Sequence, residues 1–257
     1  MNGKNEKYVL LEEDTVMVCR GNRKLYRIKA LVAIGNAVLP GDLGGYIESE
    51  RNLSINDDAW IFDNAQVYES AHISGNARIS GCARVSGSAH ISDSVQVCDS
   101  AWVSDNAQIS GDARISGNVR VNDCAQVSDQ AQVSGSAWIS DCAHVFGHAK
   151  VSGSARVESC ARISDQAQVL GNVRIADCVQ IFQNAQVSGC TWISNSVQIF
   201  GDAQVSGNAR VDDHVRIFGN AQISGEAHVS NNVQVCGNAQ VNGDTQIDSN
   251  TYISGNA

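Results

Sequence analysis

Proline is almost missing from this chain: Pro40 is the only one in 257 residues. Aromatic residues are also scarce, at 5%. Large side chains are too few for a thick two-layer core, so a narrow interior of small and β-branched residues is expected. Met1 to Asp14 carries charges throughout and lacks the apolar stretch of a secretory signal. No run reaches the roughly 18 apolar residues that a membrane-spanning helix needs. Glycine-rich phosphate loops, nucleophile elbows and paired-carboxylate signatures are absent as well. Basic charge is short where the chain is longest. Residues 53–257 hold ten Lys/Arg against twenty Asp/Glu, a net of −10, whereas residues 1–52 hold eight against seven, a net of +1. An acidic surface repels phosphates, so nucleic acid is not an expected partner. Cysteine is not lacking: there are nine, and without an export signal they are expected as free thiols in a reducing cytoplasm.

What the sequence has in abundance is a repeat. From Ala59 to Ala257 every sixth residue is small, with 24 Ala, 7 Val and 3 Thr filling the 34 positions. Two residues after each, from Ile61 to Ile253, all 33 positions are Ile or Val. The residue between them is usually Gln, Arg, His or Trp, and the other three are typically Ser, then Gly or Asp, then a short polar residue. Small-out-large, as in Ala77-Arg78-Ile79, is the alternation of a half-buried strand. Gly, Asp and Asn tolerate the left-handed backbone that a sharp corner requires. One hexad cannot bury its own Ile, but coils stacked about 4.8 Å apart bury a column of them.

The rarer residues count the hexads in a coil. Cys124, Cys142, Cys160 and Cys178 are spaced by 18. Phe146, Phe182, Phe200 and Phe218 share one register at multiples of 18, and so do Arg84, Trp102, Arg120, Trp138, Arg156, Arg174, Trp192 and Arg210. Three residue types each keep to one column of a three-column layout. The expectation is an all-β, single-stranded parallel β-helix with three hexads per coil, over about 11 coils and roughly 53 Å at ordinary strand spacing.

The pattern small-x-[Ile/Val]-Ser-Gly-Asn resembles the hexapeptide repeat of left-handed β-helix proteins, many of them trimeric acyltransferases. Gly41-Asp42-Leu43-Gly44-Gly45-Tyr46-Ile47-Glu48, running into Asn52-Leu53-Ser54, looks like the entry segment of the enterobacterial YdcK type, a group described as acetyltransferase-like. The resemblance implies a left-handed coil. It also implies, as an alternative function, acyl-CoA-dependent acetyl transfer with acetyl-CoA as the cofactor.

Residues 1–52 fall outside the repeat and are expected to form a small N-terminal β cap on the helix of residues 53–257. Tyr8–Leu11, Thr15–Cys19 and Leu25–Val32 look like strands, with a hairpin turn at Gly21-Asn22-Arg23-Lys24. Pro40 to Gly45 reads as a loop into the first coil, and Gly44-Gly45 as either part of the cap or a ligand or partner site. A cap hides an edge that would otherwise pair with another chain. The sequence stops at Ala257 on an inward position, which suggests either a shortened protein or an end that meets another subunit.

Several constellations are candidates for function. The cysteine column reads as a corner filler or, at rung spacing, as a possible disulfide site. Without Cys-x-x-Cys spacing, no metal site is expected. Arg84, Trp102, Arg120, Trp138, Arg156 and Trp192 form an outward column that either stabilises its own face by cation–π contact or meets a partner. Phe146, Phe182, Phe200 and Phe218 stand where Ser is usual and would make an apolar interaction stripe. For an acyltransferase, His144 and His148, flanking Phe146, are the weak catalytic candidates. No insertion interrupts the hexads, so no loop builds a pocket around either histidine. The leading expectation is therefore a non-catalytic, rigid β-helix scaffold or protein-interaction module. It would need no cofactor and would bind itself or another protein rather than nucleic acid or membrane.

Overall fold

The computed structural model describes residues 5–18 and 22–255. The described chain is all-β, with one 3-10 turn at Glu50–Asn52 and about 12 turns of parallel β-solenoid. It divides into two compact units, Met1–Asp123 and Cys124–Ala257. None of its helices is long and apolar enough to cross a membrane.

Unit 1 begins with three longer strands: β1 (Tyr8–Val18), β2 (Arg23–Ala30) and β3 (Leu43–Ile47). β1 and β2 form an antiparallel hairpin with an irregularity between Leu11 and Thr15. The two strands expected at Tyr8 and Thr15 are thus one bulged strand. Asn22 takes the left-handed conformation, φ 52°, that the hairpin turn needs; Cys19 and Gly21 lie outside the described residues. β2 pairs antiparallel with β3, and β3 pairs in parallel with the repeat strand Gln66–Val67. The cap therefore extends one face of the solenoid by three strands.

Leu43 to Gly45 belongs to a strand, not to the expected loop. A Cβ on Gly44 would lie 2.6 Å from the Ile61 carbonyl oxygen, and one on Gly45 would lie 2.5 Å from that of Ala65. The two glycines are there to let β3 sit against the first coil. Parallel pairing thus starts ahead of the first hexad, which accounts for a turn count slightly above the expected 11. Trp60, an outward residue by register, is only 1% exposed because Tyr8 meets it edge-on at 6.3 Å. Lys7 is buried too, donating to the Ser54 and Ala59 carbonyls at 2.8 and 2.7 Å.

From Trp60 onward the hexads form strands of two residues, or in a few cases four, joined by tight corners. Within each unit, strands 18 residues apart pair in parallel and in register, as Trp102 with Arg84 and Trp192 with Arg174. Three hexads make one coil, as the cysteine, phenylalanine and arginine/tryptophan spacings imply. The small and the Ile/Val positions are almost all buried, from Ala59 and Ile61 to Ala239 and Val241.

The corner residue, two after each Ile/Val, has positive φ at every hexad from Asp63 to Gly243. Many of these corners are joined by side chain. The Gly81 N–H donates to Asp63, that of Gly117 to Asp99 and that of Gly147 to Asp129, at 2.9, 2.7 and 3.0 Å. Each carboxylate satisfies a backbone donor one coil further on that strand pairing leaves unmet.

Candidate functional site

Outward positions in successive strands stack into ladders. The strand spacing of about 4.8 Å brings like positions into contact. In unit 1, Trp102 lies between Arg84 and Arg120 in the paired strands, with the Arg120 guanidinium 6.0 Å from its ring centroid. Its indole N–H donates to Ser86 at 3.5 Å.

In unit 2, Arg156 covers Trp138 at 5.5 Å and Arg210 covers Trp192 at 4.6 Å. Arg174 reaches Glu158 at 3.6 Å. The buried carboxylate of Asp212 takes Arg210 at 2.8 Å and lies 3.5 Å from the His228 ring nitrogen. Sequence reasoning had no place for Glu158 or Asp212. Their signal was an acidic residue where the repeat usually has Ser. Trp192 stays 43% exposed despite its arginine, whereas Trp102 and Trp138 are half-buried.

The phenylalanine stripe also turns on itself. Phe182, Phe200 and Phe218 are half-buried and stacked nearly parallel, with centroids 4.9 and 5.1 Å apart. Arg216 lies over both Phe200 and Phe218. Phe146 is separated from this stack by the rung of Ser164. The gap is a slot of about 230 Å³ lined by Phe146, Arg162, Ser164, Gln180 and Phe182.

His144 stacks on Phe146 at 4.3 Å, and its Nε2 lies 3.1 Å from the Ser128 hydroxyl. Desolvation, and then the charge of Arg162, push its pKa below the ordinary 6.5, while Asp129 opposes them. These causes favour the neutral ring, whose tautomer sets whether Nε2 accepts from the serine hydroxyl or donates to it. His148 stands at the next corner, exposed, in an open groove with Lys150, Gln132 and Gln168. The two histidines belong to one hexad, Ala143 to His148, His144 in its strand and His148 at its corner, and His148 alone of the two lines the groove.

Cys124, Cys142, Cys160 and Cys178 are free, and all four are exposed. They are an outward column of thiols and do not fill the core. Among the described residues, no group of His, Cys, Asp or Glu is arranged to hold a metal ion.

A family model described as the YdcK beta solenoid repeat matches residues 107–123, in unit 1, and 203–215, in unit 2. No curated protein matches the chain.

Proposed function

We propose, from the premise that this chain is a repeat β-helix protein of the YdcK type, that it is a non-catalytic scaffold. Its working surfaces are the outward side-chain ladders, and its first partner is another copy of itself. The observation that carries this reading is Trp192. It is a large indole at the centre of an outward column, 43% exposed although Arg210 already covers part of it. A half-exposed Trp framed by Arg174 and Arg210 has the composition of an interface hot spot. The neighbouring ladders supply preorganised, rotamer-locked surface, which lowers the entropy that association must overcome.

The acetyl-CoA-dependent alternative rests on the likeness of the repeat. It requires one histidine to face a bound thioester, and His148 faces an open groove while His144 is stacked on Phe146.

Mass measurement by light scattering tests the proposal. The parent is expected to form a defined oligomer, and Trp192→Ala to shift the mass toward the monomer. Phe182→Ser/Phe200→Ser does the same if the stripe is the contact, and Ser is the usual residue there. A parent that stays monomeric at high concentration sinks the scaffold reading. Saturable acetyl-CoA binding lost in His144→Ala or His148→Ala would put the enzyme in its place.

A further inference from the structure

Among the described residues, the cysteine column is a chemically reactive ladder that the scaffold reading leaves unused. Cys124, Cys142, Cys160 and Cys178 occupy the same corner of four successive coils in unit 2. The backbone ties these corners together. Cys124 N donates to the Asp141 carbonyl at 2.8 Å, and Cys142 N to that of Ser159 at 2.9 Å. Strands leading into them pair in register, Trp138 with Arg156 and Arg156 with Arg174. Like Cα atoms one coil apart stand about 4.8 Å from each other, inside the range of about 4.4–6.8 Å that a disulfide spans. The thiols are also near enough to interact, Cys142 with Cys124 on one side and with Cys160 on the other.

We propose that this column is a dithiol modification site. It takes a small soluble disulfide of the oxidised-glutathione class and closes disulfides between adjacent coils, Cys124 to Cys142 and Cys160 to Cys178.

The chemistry balances in two exchanges. A column thiolate attacks one sulfur of the small disulfide, whose S–S bond breaks, and the expelled thiolate takes up a proton. The neighbouring column thiolate then attacks the protein sulfur of the mixed disulfide. A Cys–Cys bond forms and the second small thiol leaves. Two protein thiols are oxidised, and one small disulfide is reduced to two thiols.

Desolvation, followed by the sulfurs of Cys124 and Cys160 and the carboxylate of Asp141, raises the Cys142 thiol above its usual value. Cys142 is therefore the partner that closes the bond rather than the one that opens the reaction, and the rate rises with pH. Pairing Cys142 with Cys160 would strand a thiol at each end, so complete oxidation selects the two outer pairs.

The other described cysteines are internal controls. One coil away in either direction, Cys82 meets Asn64 and Ser100, Cys98 meets Ser80 and Ser116, Cys190 meets Asn172 and Asn208, and Cys236 meets Phe218 and Ser254. None has a thiol in register.

The full-length protein is incubated with oxidised glutathione, alkylated, cleaved with trypsin and read by mass spectrometry. Cleavage after Arg120 and Lys150 leaves Cys124 and Cys142 in one peptide, which is expected to lose two hydrogens and resist alkylation. Residues 157–162, carrying Cys160, are expected linked to residues 175–210 through Cys178. Cys142→Ser should leave only the Cys160–Cys178 link, with Cys124 ending as a glutathione adduct. The corner already accepts Ser at Ser70 and Ser88, so this variant should fold. Four alkylated column thiols, four persistent glutathione adducts, or links between chains in place of links between coils each overturn the proposal. So does a Cys160 link made to Cys190 rather than Cys178.

Discussion

A corner of this solenoid is a problem in single-residue conformation, and two glycines separate its parts. Gly153 and Gly243 both sit in the left-handed region, at φ 77° and 66°. A Cβ on Gly153 would lie 2.5 Å from the Gly171 carbonyl oxygen, whereas one on Gly243 meets nothing within 4 Å. Gly243→Ala should therefore cost only the backbone term, about 1–2 kcal/mol. Gly153→Ala adds a clash with backbone that cannot yield, and should cost roughly 3–5 kcal/mol. Urea unfolding midpoints compare them, and equal losses would mean that the corners do not stack as described. His144 gives a second test at this scale. Its folded pKa lies below the 6.5 it has when unfolded, so as pH falls through 6.5 the unfolded chain takes up the proton first. Stability present above that pH is lost below it. An imidazole titration followed by NMR should show a His144 midpoint under 6.5, and His144→Gln should flatten the melting temperature between pH 7 and 5.5. A midpoint at or above 6.5 would show that the ring is not shielded by Phe146 and Arg162.

The element here is the coil, and its interior was legible because the hexad never slips. An Ile or Val at 33 successive positions admits one register, since shifting by a single residue would turn the whole column outward. The corners were half legible. Gly, Asp and Asn announced the left-handed turn, but the bonds from Asp63, Asp99 and Asp129 to the next coil depend on a distance that only stacking creates. The Asp63/Gly81 and Asp99/Gly117 alternation at 18 residues is the trace they leave in sequence. What could not be read was which outward ladders consume themselves. Phe182, Phe200 and Phe218 stack on one another, with Arg216 over two of them, and the cysteines, equally periodic, stay exposed. The Gly44-Gly45 pair looked like a loop because close approach to Ile61 and Ala65 is invisible in one dimension. Since each coil is held by its neighbours, Ile193→Asp is a clean test of the stacking. Ile193 is fully buried between Ile175 and Val211, and an unpaired carboxylate there costs several kcal/mol, of order 3–5. Hydrogen exchange should quicken first in the coils of Ile175 and Val211 while β1 to β3 stay protected, the nearest-neighbour behaviour of a repeat array. A variant melting within about a degree of the parent would refute the inward register.

For the whole molecule the decisive property is a net charge of −9, with the acidic excess confined to residues 53–257. Much of that charge has a local reason, since corner carboxylates accept backbone N–H groups from the next coil. The acidity therefore does not by itself point to a basic ligand. It does set the terms on which a copy meets a copy. Two like-charged chains repel, and contact at Trp192 or the phenylalanine stripe has to overcome that repulsion by burying apolar surface. Raising ionic strength shortens the screening length from about 30 Å at 0.01 M to about 10 Å at 0.1 M, which weakens repulsion and leaves the aromatic contact intact. Self-association through these ladders should therefore strengthen with salt over that range, read as a falling dissociation constant in sedimentation or light scattering. Trp192→Ala should abolish the trend together with the oligomer. Association that weakens as salt is added would point the other way, to the acidic corners meeting the basic side chains of residues 1–52. The aromatic ladders would then lose their role as the contact.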